Sequence, residues 1–112
     1  MYKPGDILII PIPFSDLTSK KKRPVLVLSN SKYNKNTNDI IVAAITSNLT
    51  EKPYNVLIST NDLESGKLKV ESCIRVDKLY TLSQNIVIKK FGCVKKHILK
   101  DVRNKLKVLF TF

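Results

Sequence analysis

The chain has 112 residues, 43% of them apolar, which predicts one folded domain over residues 1–112 and excludes a disordered chain. Twenty basic against nine acidic residues give a net charge of +11, which favours nucleic acid as partner over a membrane surface, an acidic protein segment or a merely lysine-rich surface. No apolar run approaches the roughly 20 residues that span a bilayer, and Pro4, Gly5 and Asp6 interrupt any signal-peptide pattern, so we expect a cytoplasmic protein.

A β-rich run over residues 7–10 is the first predicted strand. Pro11 and Pro13 follow it, and because proline cannot donate a ladder hydrogen bond, they predict an edge strand or a bend at its end. A polar segment over residues 15–19 then predicts a turn.

Four consecutive cations, Lys20, Lys21, Lys22 and Arg23, stand just before a second predicted strand that ends at Ser29. Because they adjoin a strand, we expect them to hold a fixed place on the fold. Arg23 is one of three arginines among the 20 basic residues, and arginine is a planar, bidentate donor for phosphate or carboxylate. The cluster therefore predicts contact with an anion, with an ordinary surface cation as the alternative for Arg23.

An asparagine-rich segment over residues 30–38 predicts a loop, and the apolar run over 39–45 predicts a strand buried on both faces. This strand ends in the hydroxyl and amide groups of Thr46, Ser47 and Asn48. Sites are often built where a rigid strand ends. The alternative is that these residues only terminate the strand.

Residues 54–59 predict a further strand, and residues 61–66 predict a loop or a short helical turn. The alternation over residues 72–79 predicts a half-buried strand with Arg75 and Asp77 on the same face. Such a pair is either part of a site or an ordinary salt bridge, which is the more frequent arrangement.

The last part of the chain predicts a short strand, over residues 86–88 or 89–91, followed by an amphipathic helix. Apolar residues at three- and four-residue spacing indicate the helix: Ile98, Leu99, Val102, Leu106, Leu109 and Phe110. The lysines on the side of the helix away from these apolar residues predict a solvated face, with attraction to phosphate as the alternative. Several short strands and one terminal helix predict a mainly β fold, a small antiparallel barrel with a C-terminal helix.

The cysteines and the histidine argue against a metal or a cofactor. Cys73 and Cys93 lack the spacing of a zinc site and are expected to be reduced, packed thiols rather than a disulfide. His97 is the only histidine, which excludes any mechanism that needs two, and its place in the predicted helix favours a structural or solvated role. We expect no metal ion and no cofactor.

Four segments of the chain carry a shared set of motifs. They are Gly5-Asp6-Ile7 with Pro11-Ile12-Pro13-Phe14-Ser15-Asp16-Leu17, Lys22-Arg23-Pro24-Val25-Leu26-Val27-Leu28-Ser29, Ile41-Val42-Ala43-Ala44-Ile45-Thr46-Ser47, and Ile74-Arg75-Val76-Asp77-Lys78-Leu79-Tyr80-Thr81-Leu82. In this order, over nearly the whole chain, they resemble the MazF/PemK/Kid toxin family, and Gly92 and the helix fit the family's end. The first loop departs from many members because it is short and has no histidine.

The resemblance implies an SH3-like (CcdB/MazF-like) barrel that works as a homodimer. It implies the toxin of a toxin–antitoxin pair, a metal-independent, sequence-specific endoribonuclease that cleaves single-stranded RNA. It also implies a cognate antitoxin whose acidic C-terminal segment occupies the RNA groove. An alternative on the same barrel is a binding module without catalysis, either a CcdB-like gyrase-binding toxin or a nucleic-acid-binding protein.

The family's catalytic residues match Arg23, Thr46, Arg75 and Asp77 in this chain, and Ser47, Asn48 and the lysines at 20–22 are the expected RNA contacts. Asp77 is the candidate base for the ribose 2′-hydroxyl, provided that burial raises its pKa. The two arginines would stabilise charge on the phosphorane, because arginine is a poor proton donor. Thr46 and Ser47 would hold the phosphate or the 2′-hydroxyl in line.

Overall fold

The computed structural model describes residues 1–12, 21–49 and 52–112, which form antiparallel strands in a curled half-barrel with two α-helices. The strands are β1 Asp6–Ile12, β2 Lys21–Val27, β3 Asp39–Thr46, β4 Asn55–Ile58, β5 Leu63–Ser65, β6 Ser72–Ser83 and β7 Lys89–Val94. The helices are α1 Ser31–Asn36 and α2 Lys96–Leu109, with short 3-10 helices at Thr60–Asp62 and Gln84–Ile86. The mainly β fold with a terminal amphipathic helix is thus confirmed.

The strands form one sheet in the order β4-β6-β3-β2-β1-β7-β5. Side chains alternate along each strand, so the sheet carries an apolar cluster on each of its two faces. One cluster includes Leu26, Ala43 and Ile74 and packs against Ile98 and Val102 of α2. The other cluster is built from the alternate residues: Leu8, Ile10, Val25, Val27, Ile40, Val42 and Leu82. Strand β3 contributes to both clusters, which confirms that it is buried on both faces.

The prediction that the first strand lies at an edge is wrong, because β1 lies between β2 and β7. The last β1–β7 pair joins Ile9 to Lys89, and the Ile88 N–H donates to the Ile9 carbonyl at 2.9 Å. The backbone nitrogen of Pro11, two residues after Ile9, points to the same edge of β1, but β7 begins at Lys89 and does not extend alongside it. Its missing N–H therefore costs no ladder hydrogen bond, and β1 continues to Ile12.

The segment over residues 30–38 is not only a loop, because it contains helix α1. The Asn30 side chain caps this helix by accepting a hydrogen bond from the Tyr33 N–H at 2.8 Å. The buried Asn34 side chain donates to the carbonyls of Tyr2 and Ser29, both at 3.0 Å. The asparagines that predicted a loop are thus the residues that cap and anchor a short helix. Strand β2 ends at Val27, two residues before the predicted end at Ser29.

Three further boundaries differ from the prediction or decide between its alternatives. The segment over residues 61–66 contains strand β5, which was missed because three residues are too few for a periodic signal. Of the two alternatives near residue 88, the strand over residues 89–91 is correct, and it extends to Val94. Strand β6 continues four residues past Leu79. The polar turn predicted over residues 15–19 lies outside the described residues.

Helix α2 is confirmed as amphipathic, with Ile98 and Val102 buried. The prediction that Phe110 belongs to its apolar stripe is wrong, because Phe110 lies past the last helical residue, Leu109, and is exposed. The described helices include none that is long and apolar enough to cross a membrane.

Candidate active site

A groove with a volume of about 710 Å³ lies on the sheet face opposite α2. The predicted site residues in its lining are Lys22, Arg23, Thr46, Ser47, Asn48 and Arg75. Its walls also include apolar residues from β1 and β2, among them Ile10 and Val25. The groove therefore combines residues that are more than 50 positions apart in sequence.

The register of the strands explains why the predicted residues meet. Val25 pairs with Ala44, and Ala44 pairs with Arg75, so these three residues share one face of the sheet. Arg23 precedes Val25 by two residues and Thr46 follows Ala44 by two, which places both on that face. Strands β2, β3 and β6 thus bring Arg23, Thr46 and Arg75 to the same surface.

Arg75 and Asp77 form a two-pronged ion pair. The Arg75 Nε donates to Asp77 Oδ1 at 3.2 Å, and Nη2 donates to Oδ2 at 3.1 Å. The hydrogen bonds from Arg75 hold the pKa of Asp77 below its ordinary value, and the same bonds raise the pKa of Arg75. The slight burial of Asp77 raises its pKa less than these hydrogen bonds lower it, so the condition under which we expect Asp77 to be a base near neutrality is not met.

Asp77 lies in a bulge of β6, where it has no pairing partner in β3 and instead contacts Arg75 of its own strand. Ala43 pairs with Leu79 and Ala44 pairs with Arg75, so residues 76–78 have no partner in β3. The Asp77 side chain is 35% exposed and is not part of the groove lining, whereas Arg75 is. The carboxylate thus contacts the guanidinium from outside the groove.

The described part of the basic cluster, Lys21 to Arg23, is part of strand β2 rather than a segment before it. Lys21, Lys22 and Arg23 are exposed, and Arg23 Nη1 donates to the Lys22 carbonyl at 3.2 Å. Lys22 and Arg23 line the groove, whereas Lys21 does not, although its strand partner Ile12 does. Lys20 lies outside the described residues.

The hydroxyl of Thr46 is oriented by the chain that follows it. The Asn48 N–H donates to Thr46 Oγ1 at 3.1 Å, which fixes a tight turn at the end of β3. Since the oxygen accepts this bond, the hydroxyl hydrogen can be donated to an anion in the groove. Nearby, the buried Cys73 thiol donates to the Asn48 carbonyl at 3.7 Å, and burial raises its pKa, so it stays neutral.

Sequence reasoning missed five polar residues of the lining: Lys52, Asn55, Ser72, Lys78 and Tyr80. Strict alternation along β6 places Tyr80 on the face of Ile74, opposite Arg75. The bulge shifts the register by an odd number of residues, so Tyr80, which pairs with Val42, joins the groove face instead. Asn55 is brought there by pairing with Arg75, a contact between distant segments that has no local signal.

The lone histidine is not part of the groove. His97 Nε2 lies 3.3 Å from Asp62 Oδ1 and connects the start of α2 to the 3-10 helix at Thr60–Asp62. A backbone hydrogen bond from Ser59 and, less strongly, the contact with His97 lower the pKa of Asp62. In the described part of the chain, no three histidine, cysteine or acidic side chains are grouped so that they could hold a metal ion.

Comparison with solved structures shows the same fold in toxins of known systems. An endoribonuclease in complex with its cognate antitoxin from a mycobacterial species has a TM-score of 0.79 at 18% identity, covering 100% of this chain and 99% of that one. The Mycobacterium tuberculosis toxin MazF-mt6 has a TM-score of 0.77 at 18% identity, covering 94% and 95%. A MazE-MazF structure from Deinococcus radiodurans has a TM-score of 0.75 at 21% identity, covering 99% and 96%.

Among curated proteins, no match was found. The family model of the PemK-like, MazF-like toxins matches residues 3–110, which is nearly the whole chain. The resemblance seen in the sequence is thereby confirmed, and the chain belongs to the PemK-like, MazF-like toxins of type II toxin–antitoxin systems.

Proposed function

We propose that this chain is a toxin that cleaves single-stranded RNA at specific sequences, without a metal ion. One observation carries the proposal: Arg23, Thr46 and Arg75, from three different strands, line the same groove. Lys22, Lys52 and Lys78 add positive charge to the lining, whose described residues include no aspartate or glutamate. A groove of this charge fits a phosphodiester backbone.

The chemistry that these groups support is attack of a ribose 2′-oxygen on the adjacent phosphorus, with departure of the 5′-oxygen. Arg23 and Arg75 are placed to stabilise the charge that develops on the pentacoordinate phosphorus. The Thr46 hydroxyl and Ser47 would hold the reacting groups in line. Tyr80 presents an aromatic ring on which a base can stack.

Asp77 acts in this proposal chiefly by orienting Arg75. A carboxylate with a lowered pKa is ionised at neutral pH and drives proton transfer only weakly. The two hydrogen bonds to Arg75, however, fix the plane of the guanidinium at the groove wall. If Asp77 receives the 2′-hydroxyl proton, it does so as a carboxylate that is already ionised.

The pH dependence of cleavage tests this role. Contact with Arg75 lowers the pKa of Asp77 from its ordinary value of 3.8, so the carboxylate and its ion pair persist above about pH 4 and are lost only as the pH falls through the lowered pKa. We expect the single-turnover rate on a short RNA to show no acid-side decline from Asp77 between about pH 5 and 8. A decline with a midpoint near 6 to 7 that disappears in Asp77→Asn would show a raised pKa instead, and His97→Gln controls for the imidazole.

The same groove is our proposed binding site for the acidic C-terminal segment of a cognate antitoxin. The described residues of its lining include cations and no aspartate or glutamate. An acidic peptide and an RNA backbone would therefore compete for the groove. We also propose a homodimer, as the family resemblance implies. Sedimentation that finds only monomer at micromolar concentration would contradict the dimer.

The experiment that tests the function is cleavage of a long, unstructured RNA by the purified protein in EDTA, with the ends mapped by primer extension. We expect discrete cuts that Arg23→Ala reduces by about a hundred-fold or more, because one stabilising donor to the phosphorane is lost. Arg23→Lys, which keeps the charge but not the planar fork, should retain part of the rate. Intact RNA that is still bound by the wild type would instead show a binding module without catalysis.

A further inference from the structure

The outer face of α2 carries a straight row of cations that the groove does not use. Lys96, Lys100, Arg103 and Lys107 follow one another at spacings of four, three and four residues, which aligns them along one side of the helix. All four are exposed. At a rise of about 1.5 Å per residue, this basic stripe is about 16 Å long.

The stripe is separated from the groove by the sheet. The opposite side of α2 packs through Ile98 and Val102 onto the cluster that contains Leu26 and Ile74. The groove lies on the other face, over Ile10 and Val25. An RNA segment that occupies the groove therefore does not contact the stripe.

The stripe places repelling charges along the helix, and only Lys107, in the last turn, is favourably placed with respect to the helix dipole. Like charges at four-residue spacing repel, and a cation in the first turn opposes the helix dipole. The helix has no acidic residue in its first turn, and its N-cap residue Lys95 makes no side-chain cap. Asp101 is not three or four residues from any member of the stripe.

The ion pairs formed by described residues also leave the stripe out. They join Arg75 to Asp77, Lys90 to Asp6 and His97 to Asp62. Lys105, which is outside the stripe, donates instead to the Pro53 carbonyl at 3.1 Å. The stripe is thus a row of like charges that would be stabilised by a bound polyanion.

We infer that the basic stripe of α2 is a second RNA-binding surface, which holds the phosphate backbone of RNA outside the segment in the groove. The choice of RNA rests on the proposed function. An acidic protein segment fits less well, because protein interfaces are built on apolar anchors and are depleted in lysine. A membrane fits less well too, because the apolar side of α2 is packed in the core and cannot insert.

The test measures binding rather than cleavage, so it remains informative if the proposed function fails. The probes are fluorescent 2′-O-methyl oligouridylates, which lack the attacking hydroxyl, of about 30 and about 6 nucleotides. The test variant changes all four stripe residues to Gln: K96Q, K100Q, R103Q and K107Q. The matched control removes four charges elsewhere on the exposed surface: K3Q, K32Q, K35Q and K67Q.

We expect the stripe variant to bind the long probe at least about tenfold more weakly than the wild type, with a salt-dependence slope smaller by about 3. It should bind the short probe within about twofold of the wild type, as should the control variant with both probes. The stripe variant should melt no lower than the wild type, since repulsion is removed. A second variant, K96R, K100R and K107R, should retain the affinity for the long probe.

Three results would overturn the inference. Equal weakening in the stripe and control variants would show that only net charge matters. Equal weakening with the short and the long probe would show that the stripe acts through the groove. Unchanged RNA binding, with loss of binding to phosphatidylserine vesicles in the stripe variant, would identify a membrane surface as the partner.

Discussion

Arg75→Ala is expected to lower the single-turnover rate of RNA cleavage by about a hundred- to a thousand-fold. The variant removes the Arg75 guanidinium from the groove lining. In the wild type, two hydrogen bonds to Asp77, which lies outside the lining, hold this guanidinium in place. It also leaves Asp77 without its partner, which adds an uncompensated negative charge near the bound phosphate. The Arg75 side chain is 19% exposed and belongs to neither apolar cluster, so the protein should remain folded.

Two further variants make this result specific. Arg75→Lys keeps one positive charge but cannot make both hydrogen bonds to Asp77, so its rate should fall between those of the wild type and the alanine variant. Lys67→Ala removes an exposed cation outside the groove and should cleave a short RNA at close to the normal rate. A rate for Arg75→Ala within about tenfold of the wild type would remove Arg75 from the catalytic residues.

Ile74→Ala should have the opposite effect, with a large loss of stability and little change in the cleavage rate. Ile74 is fully buried in the cluster beneath α2, on the sheet face that does not carry the groove. Truncating a buried isoleucine to alanine costs about 2–5 kcal/mol in the free energy of unfolding, because transfer energy is lost and a cavity is left. Denaturant unfolding and a thermal melt measure the loss directly.

Two controls accompany Ile74→Ala: a smaller truncation at the same position and a truncation at an exposed position of α2. Ile74→Val should cost only about 0.5–1.5 kcal/mol, since a single methylene is removed. Val108→Ala on the exposed side of α2 should change stability by no more than about 0.5 kcal/mol. At a temperature where Ile74→Ala is folded, a cleavage rate far below the wild type would contradict the separation of the two faces.

The sequence predicted which residues line the groove better than it predicted how they come together. Arg23, Thr46 and Arg75 were identified from motifs and from their places at strand ends, and the structure brings all three into one groove. Their meeting depends on the pairing of strands that are distant in sequence, which no local pattern encodes. For the same reason, Asn55 could not be found before the register of β4 and β6 was known.

Local sequence patterns gave wrong predictions at residues whose effect depends on what lies next to them in the fold. The asparagines around α1 predicted a loop, because asparagine competes with the backbone for hydrogen bonds, yet the same property makes Asn30 a helix cap. Pro11 predicted an edge strand, but its missing donor is harmless where the neighbouring strand has already ended. Asp77 was expected to be a base, and its charged neighbour on the same strand gives it the opposite pKa shift.

The bulge at residues 76–78 has a consequence for how this protein can diversify. It divides β6 into two halves whose side-chain alternation is out of phase, so both Arg75 and Tyr80 reach the groove from one strand. A substitution at Tyr80 therefore reshapes the wall of the groove without altering the pairing that holds Arg75 beside Ala44. We expect relatives that keep the bulge to vary in the shape of this wall while the positions of Arg23, Thr46 and Arg75 stay the same.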